Sequence, residues 1–198
     1  MTRQSDFKKD LIKGIGLLTE DVAEFKANFD EHGPAVKGIA PREALNRLRM
    51  FQEEYDIRKR RFDSYNSGET LFGLPNKQYP ELIKTEKELQ LLSQLYTLYQ
   101  RVNDQIGKWK EFPWNGIQEE VPKMDEQIEQ FGKDRARLPG VLKQWDAYKD
   151  LMTEIENMQA LIPIIDALAK DSIKPRHWEE IKELTKEHIP YDSETFSL

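Results

Sequence analysis

Leu11, Ile15, Leu18, Val22, Phe25 and Phe29 follow one another at spacings of 4, 3, 4, 3 and 4 residues. A backbone that turns once every ~3.6 residues gathers such positions onto one stripe. The rhythm returns in Leu92, Leu95, Tyr99, Val102, Ile106 and Trp109, and again between Tyr148 and Ile165. Alternation of period two, the mark of a half-buried strand, is nowhere sustained. The pattern calls for amphipathic helices with narrow apolar seams that pair along their length.

Proline and glycine divide these seams into elements. The first helix is expected from about Ser5, as N-cap, to Glu31, with Gly33-Pro34 as the stop. Gly14 and Gly16 inside it each lower helix stability by ~1 kcal/mol relative to Ala, or mark a close backbone contact. A linker, "GPAVKGIA", leads to a second helix opening at Pro41. That helix carries Leu48, Phe51, Tyr55, Phe62 and Tyr65, has Arg58 in one seam position, and is expected to close at Asn66-Ser67-Gly68. "LFGLPNKQYPEL" follows as a loop packed against the fold.

A third helix opens near Pro80 and breaks at "FPWNG". A fourth holds Val121, Met124, Ile128, Phe131 and Leu138, and Pro139-Gly140 separates it from a fifth run, Leu142 to Ile165, with a bend at Pro163. A short last helix starts at Pro175, and the tail "HIPYDSETFSL" reads as extended. Helices of roughly 25 residues are about 40 Å long. The expected fold is all-α: an elongated array of long antiparallel helices in bundles, with no sheet.

Composition agrees with exposed helices. Charged residues make up 33% of the chain, yet 30 Lys+Arg nearly balance 36 Asp+Glu, leaving a net charge of −6. Interspersed charge and 10% aromatic content argue against a disordered acidic tail, and no basic surplus points to nucleic acid. The absence of cysteine excludes disulfides and thiolate chemistry and is compatible with a reducing compartment. No run approaches the ~20 apolar residues of a membrane span, and "MTRQSDFKKDL" lacks the apolar core of a signal peptide. No membrane partner is therefore expected.

Catalytic and cofactor signatures are missing too. His177 and His188 are eleven residues apart, roughly 16 Å along a helix, too far to share an ion. "DSYNSGETLFGL" has Asp63 and Gly68 where a calcium loop needs them, but Tyr65 and Leu74 occupy ligand positions. Neither GxxxxGK[ST] nor GxGxxG occurs, and no GxSxG elbow is present. No catalytic residue, cofactor or metal is assigned.

Two features remain. Arg58, Lys59, Arg60 and Arg61 form the densest charge run, either a docking patch for an acidic partner or a solvated face balanced by Glu53, Glu54 and Asp56. Consecutive helical residues cannot all face one way, which favours the solvated face. The four tryptophans are the other feature. Trp109 and Trp145 fall on seams as core residues, Trp114 lies in a break where it plugs a hairpin end, and Trp178 follows Pro175 at a helix start. In "SIKPRHWEEI", Pro175 opens the helix, while Arg176 and His177 have no convergent partner in sequence.

Three stretches carry a resemblance. "GPAVKGIAPREALNRLRMFQEEYD", "GETLFGLPNKQYPELIKTEKELQLLSQLYTLY" and "RLPGVLKQWDAYKDLMTEIENMQALIPIIDALAKDSIKPRHWEEI" resemble, in that order, dynein heavy chains where the tail meets the linker. The wording is closest to the axonemal branch, outer-arm-type chains in particular. The resemblance covers about residues 33–198, and its most specific parts are the "LFGLP..YPEL" joint, the "KELQLLSQLYTLY" helix and "PRHWEEI".

The resemblance implies a piece of an ATP-driven, microtubule-based motor. Residues 1–70 are then the end of the tail, with two helices, and 71–198 the N-terminal part of the linker, a lever that swings over a ring of AAA+ modules. ATP and Mg would belong to the ring, outside this sequence, so the piece itself is expected to be no enzyme. Met1 and the end at "TFSL" suit an excised piece. Partners would be the ring, the tail and other dynein heavy, intermediate or light chains, in a ciliary or flagellar axoneme. Trp109, Trp145 and Trp178 are expected to brace corners set by Pro113, Pro139, Pro163 and Pro175. Periodicity alone leaves open a coiled-coil or spectrin-like module, or a partner-docking helical module.

Overall fold

The computed structural model describes residues 2–193, 196 and 197, with side chains from Gln4 onward. Among the described residues, six α-helices account for nearly all regular structure: α1 (Thr2–His32), α2 (Pro41–Leu71), α3 (Pro80–Lys110), α4 (Ile117–Ala136), α5 (Asp146–Leu168) and α6 (Pro175–Thr185). A 3-10 turn at Gly140–Gln144 precedes α5. The described residues contain no strand, only a single bridge between Pro113 and Ser197. The chain folds as two compact units, one ending at Tyr96 and the other beginning at Thr97, so the boundary between them lies inside α3.

Helix limits follow local chemistry, with departures from expectation: α4 ends at Ala136, short of Leu138, and Leu142 lies in the 3-10 turn before α5. α1 starts at Thr2 and takes Ser5 into its interior, because nothing before Ser5 opposes helical geometry. α2 runs through Gly68 to Leu71. Gly68 lies within the helix, and its missing Cβ lets Leu11 of α1 approach closely: a Cβ there would lie 3.0 Å from a Leu11 methyl. Gly73, at φ +65, makes the turn that leads away from α2. Pro163 lies within α5, which continues to Leu168, so it separates no two helices.

In the first unit α1 and α2 are antiparallel. Phe29 and Phe51 meet edge to face at 5.3 Å between centroids, while Gly14 faces Tyr65 and Leu11 faces Gly68. The first half of α3 turns back along both. Phe62 meets Tyr79 at 5.6 Å, and Lys26 of α1 lies 3.5 Å from Glu88. The result is an up–down–up three-helix bundle whose core holds Leu18, Val22, Phe25, Leu48, Phe51, Leu89, Leu92 and Leu95, all buried. Burying each such side chain contributes about 1.5–3 kcal/mol before conformational entropy is counted.

In the second unit the later half of α3, α4 and α5 supply Val102, Ile106, Trp109, Val121, Met124, Ile128, Phe131, Leu151, Ile155 and Ile162 to the core. α4 returns along α3, with Arg101 3.5 Å from Asp134, and α5 returns along α4, with Arg135 4.0 Å from Glu156. In α5 the buried stripe runs through Leu151, whereas Met152 is only half-buried.

Candidate functional site

The basic run on α2 divides by helical geometry. Arg58 and Arg61, three residues apart, face α1 and share one carboxylate: Arg58 Nη2 donates to Asp21 Oδ1 at 2.7 Å and Arg61 Nη1 to Asp21 Oδ2 at 2.8 Å. Arg58 also donates to the Glu54 carbonyl at 3.0 Å and lies 4.5 Å from the centre of the Phe25 ring. Its side chain keeps 16% exposure, low enough for these contacts to be only partly screened. Lys59 turns aside to Asp63 at 3.2 Å, and Arg60 is exposed. The balancing charge comes chiefly from Asp21, Glu54 and Asp63. Glu53 and Asp56 are exposed. Asp21 was invisible as a partner in sequence because it is 37 residues from Arg58.

A groove beside this network is lined by Asp21, Glu24, Phe25, Asn28, Glu31 and Arg58, among others. It is open to solvent and holds no nucleophile paired with a base. No three His, Cys, Asp or Glu side chains converge as a metal set among the described residues. Nor is any helix among them long and apolar enough to cross a membrane.

A buried tyrosine marks the α2–α3 seam. Burial first, then the Glu86 carboxylate beside it and its hydrogen bond, push the Tyr55 hydroxyl well above the ordinary tyrosine range. The neutral phenol is thereby held as a structural donor and is a poor acid.

The tryptophans separate into three environments. Trp109 is buried on α3 with 5% exposure and Trp178 on α6 with 8%. Trp145 is half-buried as the N-cap residue of α5, off the helical stripe. Trp114 is half-buried between α3 and α4 and meets Trp178 at 5.9 Å and Phe196 at 5.4 Å. Tyr191 stacks on Trp178 at 5.0 Å with planes 5° apart, and the Trp114 N–H donates to the Phe196 carbonyl at 2.9 Å. The tail therefore folds back onto the α3–α4 loop through aromatic faces and a main-chain bond.

Pro175 is the first residue of α6, and His177 has a role not evident from the sequence. The Lys174 backbone N–H donates to His177 Nδ1 at 2.9 Å, and the His177 N–H donates to the Lys174 carbonyl at 2.8 Å. An accepting Nδ1 puts the imidazole proton on Nε2, so the 3.3 Å approach of Arg176 Nε to that atom is a contact between two donors. His177 does here what Glu or Gln does at the third position of a capping box. That rule, widened to any acceptor at the third position, would have found it.

Residues 82–198, more than half of the chain, match the family described as dynein heavy chain, N-terminal region 2. The chain belongs to the dynein heavy-chain family. Over 195 residues, 98% of its length, it is 36% identical to the gamma chain of the flagellar outer arm of Chlamydomonas reinhardtii. Over the same share it is 37% identical to dynein axonemal heavy chain 8 of Mus musculus and 33% identical to dynein axonemal heavy chain 5 of Rattus norvegicus. These matches take in nearly all of residues 1–32 as well, beyond the 33–198 span of the resemblance in sequence. The chain spans only 4%, 4% and 6% of those three relatives. Within this dynein heavy-chain segment, the three tryptophans at the ends of helices fall in the region that the family match covers.

Proposed function

We propose that this segment is a non-catalytic mechanical part of an axonemal, outer-arm-type dynein heavy chain. Residues 1–70 are the end of the tail and 71–198 the start of the linker. The linker acts as a lever, coupling the nucleotide state of an AAA+ ring elsewhere in the parent chain to movement along microtubules. ATP and Mg are used by that ring, and the partners of the segment are the ring, the tail and neighbouring dynein chains in the axoneme. The observation that carries the reading is the match of residues 82–198 to the N-terminal region 2 of dynein heavy chains. The relatives' names, flagellar outer arm and axonemal, support the location. Long helices packed side by side suit a part that must resist bending.

The up–down–up bundle of the first unit also favours a second reading, a spectrin-like structural module without a swing. Both are tested in the parent motor with a donor fluorophore at exposed Glu154 of α5 and an acceptor on the ring. A lever changes transfer efficiency between nucleotide-free, ATP-bound and ADP-bound states. Constant efficiency through the cycle overturns the lever and leaves the static module.

A further inference from the structure

The connection between α2 and α3 is fastened at several points. Glu69, 4% exposed, turns its carboxylate inward, and Oε2 accepts the Lys77 N–H at 3.0 Å while its carbonyl accepts the Leu74 N–H at 2.8 Å. One residue on, Thr70 and Asn76 exchange hydrogen bonds at 3.2–3.3 Å, closing the loop on itself a second time. The far end of the loop is then tied to α1. Lys77 Nζ donates to Thr19 Oγ1 at 2.7 Å, and the Tyr79 hydroxyl lies 3.4 Å from both Thr19 Oγ1 and the Ile15 carbonyl. The Tyr79 ring is buried at 5% exposure, with Phe62 of α2 edge-on against it. At the opposite end of the bundle, the buried Tyr96 hydroxyl of α3 donates to the Pro34 carbonyl at 2.9 Å.

A flexible hinge has the reverse character: few buried contacts and a solvated backbone. Here a buried carboxylate is oriented by a loop amide, and an apolar ring is wedged between α1 and α2. We infer that residues 69–79 are a clasp that locks the first half of α3 onto α1, so that the point where tail passes into linker is a rigid graft and not a joint of flexure. The tail–linker wording rests on the proposed function, whereas the clasp itself does not. Load arriving along α3 passes sideways into α1 through Thr19, Lys77 and Tyr79, and not through the loop backbone alone.

The chain contains no cysteine, so spin labels can be placed at will. Labels at exposed Lys13→Cys of α1 and Gln90→Cys of α3 report the locked pair, and Lys13→Cys with Ser64→Cys reports α1 against α2. Electron–electron distance measurements on the otherwise unaltered chain are expected to give one narrow distribution for each pair. Combining Thr19→Val with Tyr79→Phe removes the polar ties with little change of shape. The α1–α3 distribution is then expected to broaden while α1–α2 stays narrow. If the double variant unfolds, both pairs broaden together, and Thr19→Val alone supplies the comparison. A broad α1–α3 distribution before substitution, or an unchanged width after it, overturns the clasp. Neither outcome depends on whether the parent motor uses the segment as a lever.

Discussion

At the scale of single residues, Trp109, Trp178 and Trp145 carry the same side chain into different surroundings. The first two are buried, and the third caps a helix half in solvent. Truncating a buried tryptophan costs about 3–5 kcal/mol. Trp109→Ala and Trp178→Ala are each expected to lower the denaturation midpoint by that order, and Trp145→Ala by much less. Equal midpoints for all three in urea titrations would refute the distinction. Tyr55 offers a test by pH. Its folded-state pKa lies above the ordinary 10.0, so the folded chain holds that proton more tightly than the unfolded chain does. The associated stability is complete below pH ~10 and is lost as pH rises beyond it. Tyr55→Phe is expected to flatten this alkaline decline relative to the unaltered chain, measured as midpoint against pH from neutrality upward. An identical decline in both proteins would show that Tyr55 does not cause it.

At the scale of elements, α1 contains two glycines whose context separates them. A Cβ at Gly16 meets nothing within 4 Å, whereas one at Gly14 would lie 2.8 Å from the Tyr65 hydroxyl. Gly16→Ala is expected to stabilise the chain by about 0.5–1 kcal/mol through helix propensity alone. Gly14→Ala has the same propensity gain but must displace the Tyr65 ring, and so is expected to raise the melting temperature less than Gly16→Ala, or to lower it. Calorimetry of the two variants decides, and the opposite ranking would mean that Tyr65 swings away freely. α2 makes the same point about close approach. Gly68 looks like a stop when only its own helix is considered, yet α2 runs through it and Leu11 of α1 occupies the space a side chain would take. α6 shows how a cap can be missed: Lys174 has no side-chain acceptor to offer, and the acceptor comes from His177.

At the scale of the molecule, the basic run bears on how the segment meets its surroundings. Arg58 and Arg61 hold Asp21 across the α1–α2 seam, and of the four basic residues Arg60 is the exposed one. Charge reversal at the exposed position, Arg60→Glu, is expected to leave thermal stability unchanged. Arg58→Glu places a carboxylate against Asp21 and Glu54 and is expected to cost about 1–3 kcal/mol. If other dynein chains dock on this face, Arg60→Glu weakens their co-purification with the parent heavy chain. Unchanged co-purification would leave the run as an internal brace. The two compact units meet inside α3. Tertiary contacts group α1, α2 and the first half of α3 together, because the loop at 72–79 is tied back onto α1.

The sequence alone determined the helix count, the seams, most helix limits and the family. Each of these rests on local periodicity, on breakers such as Gly33-Pro34 and Pro139-Gly140, or on runs of matching residues, and all are read within a few turns of chain. Only the tertiary structure decided that Asp21 answers Arg58, that Gly14 faces Tyr65, that Tyr191 stacks on Trp178, and that Tyr79 reaches Ile15. The residues in the first, second and last of these pairs are dozens of positions apart. Their meeting depends on the rotational phase of one helix against another, and a phase error of one residue, ~100°, turns a seam residue toward solvent. Periodicity tells which face of a helix is buried, while the partner of that face is set by how whole helices pack.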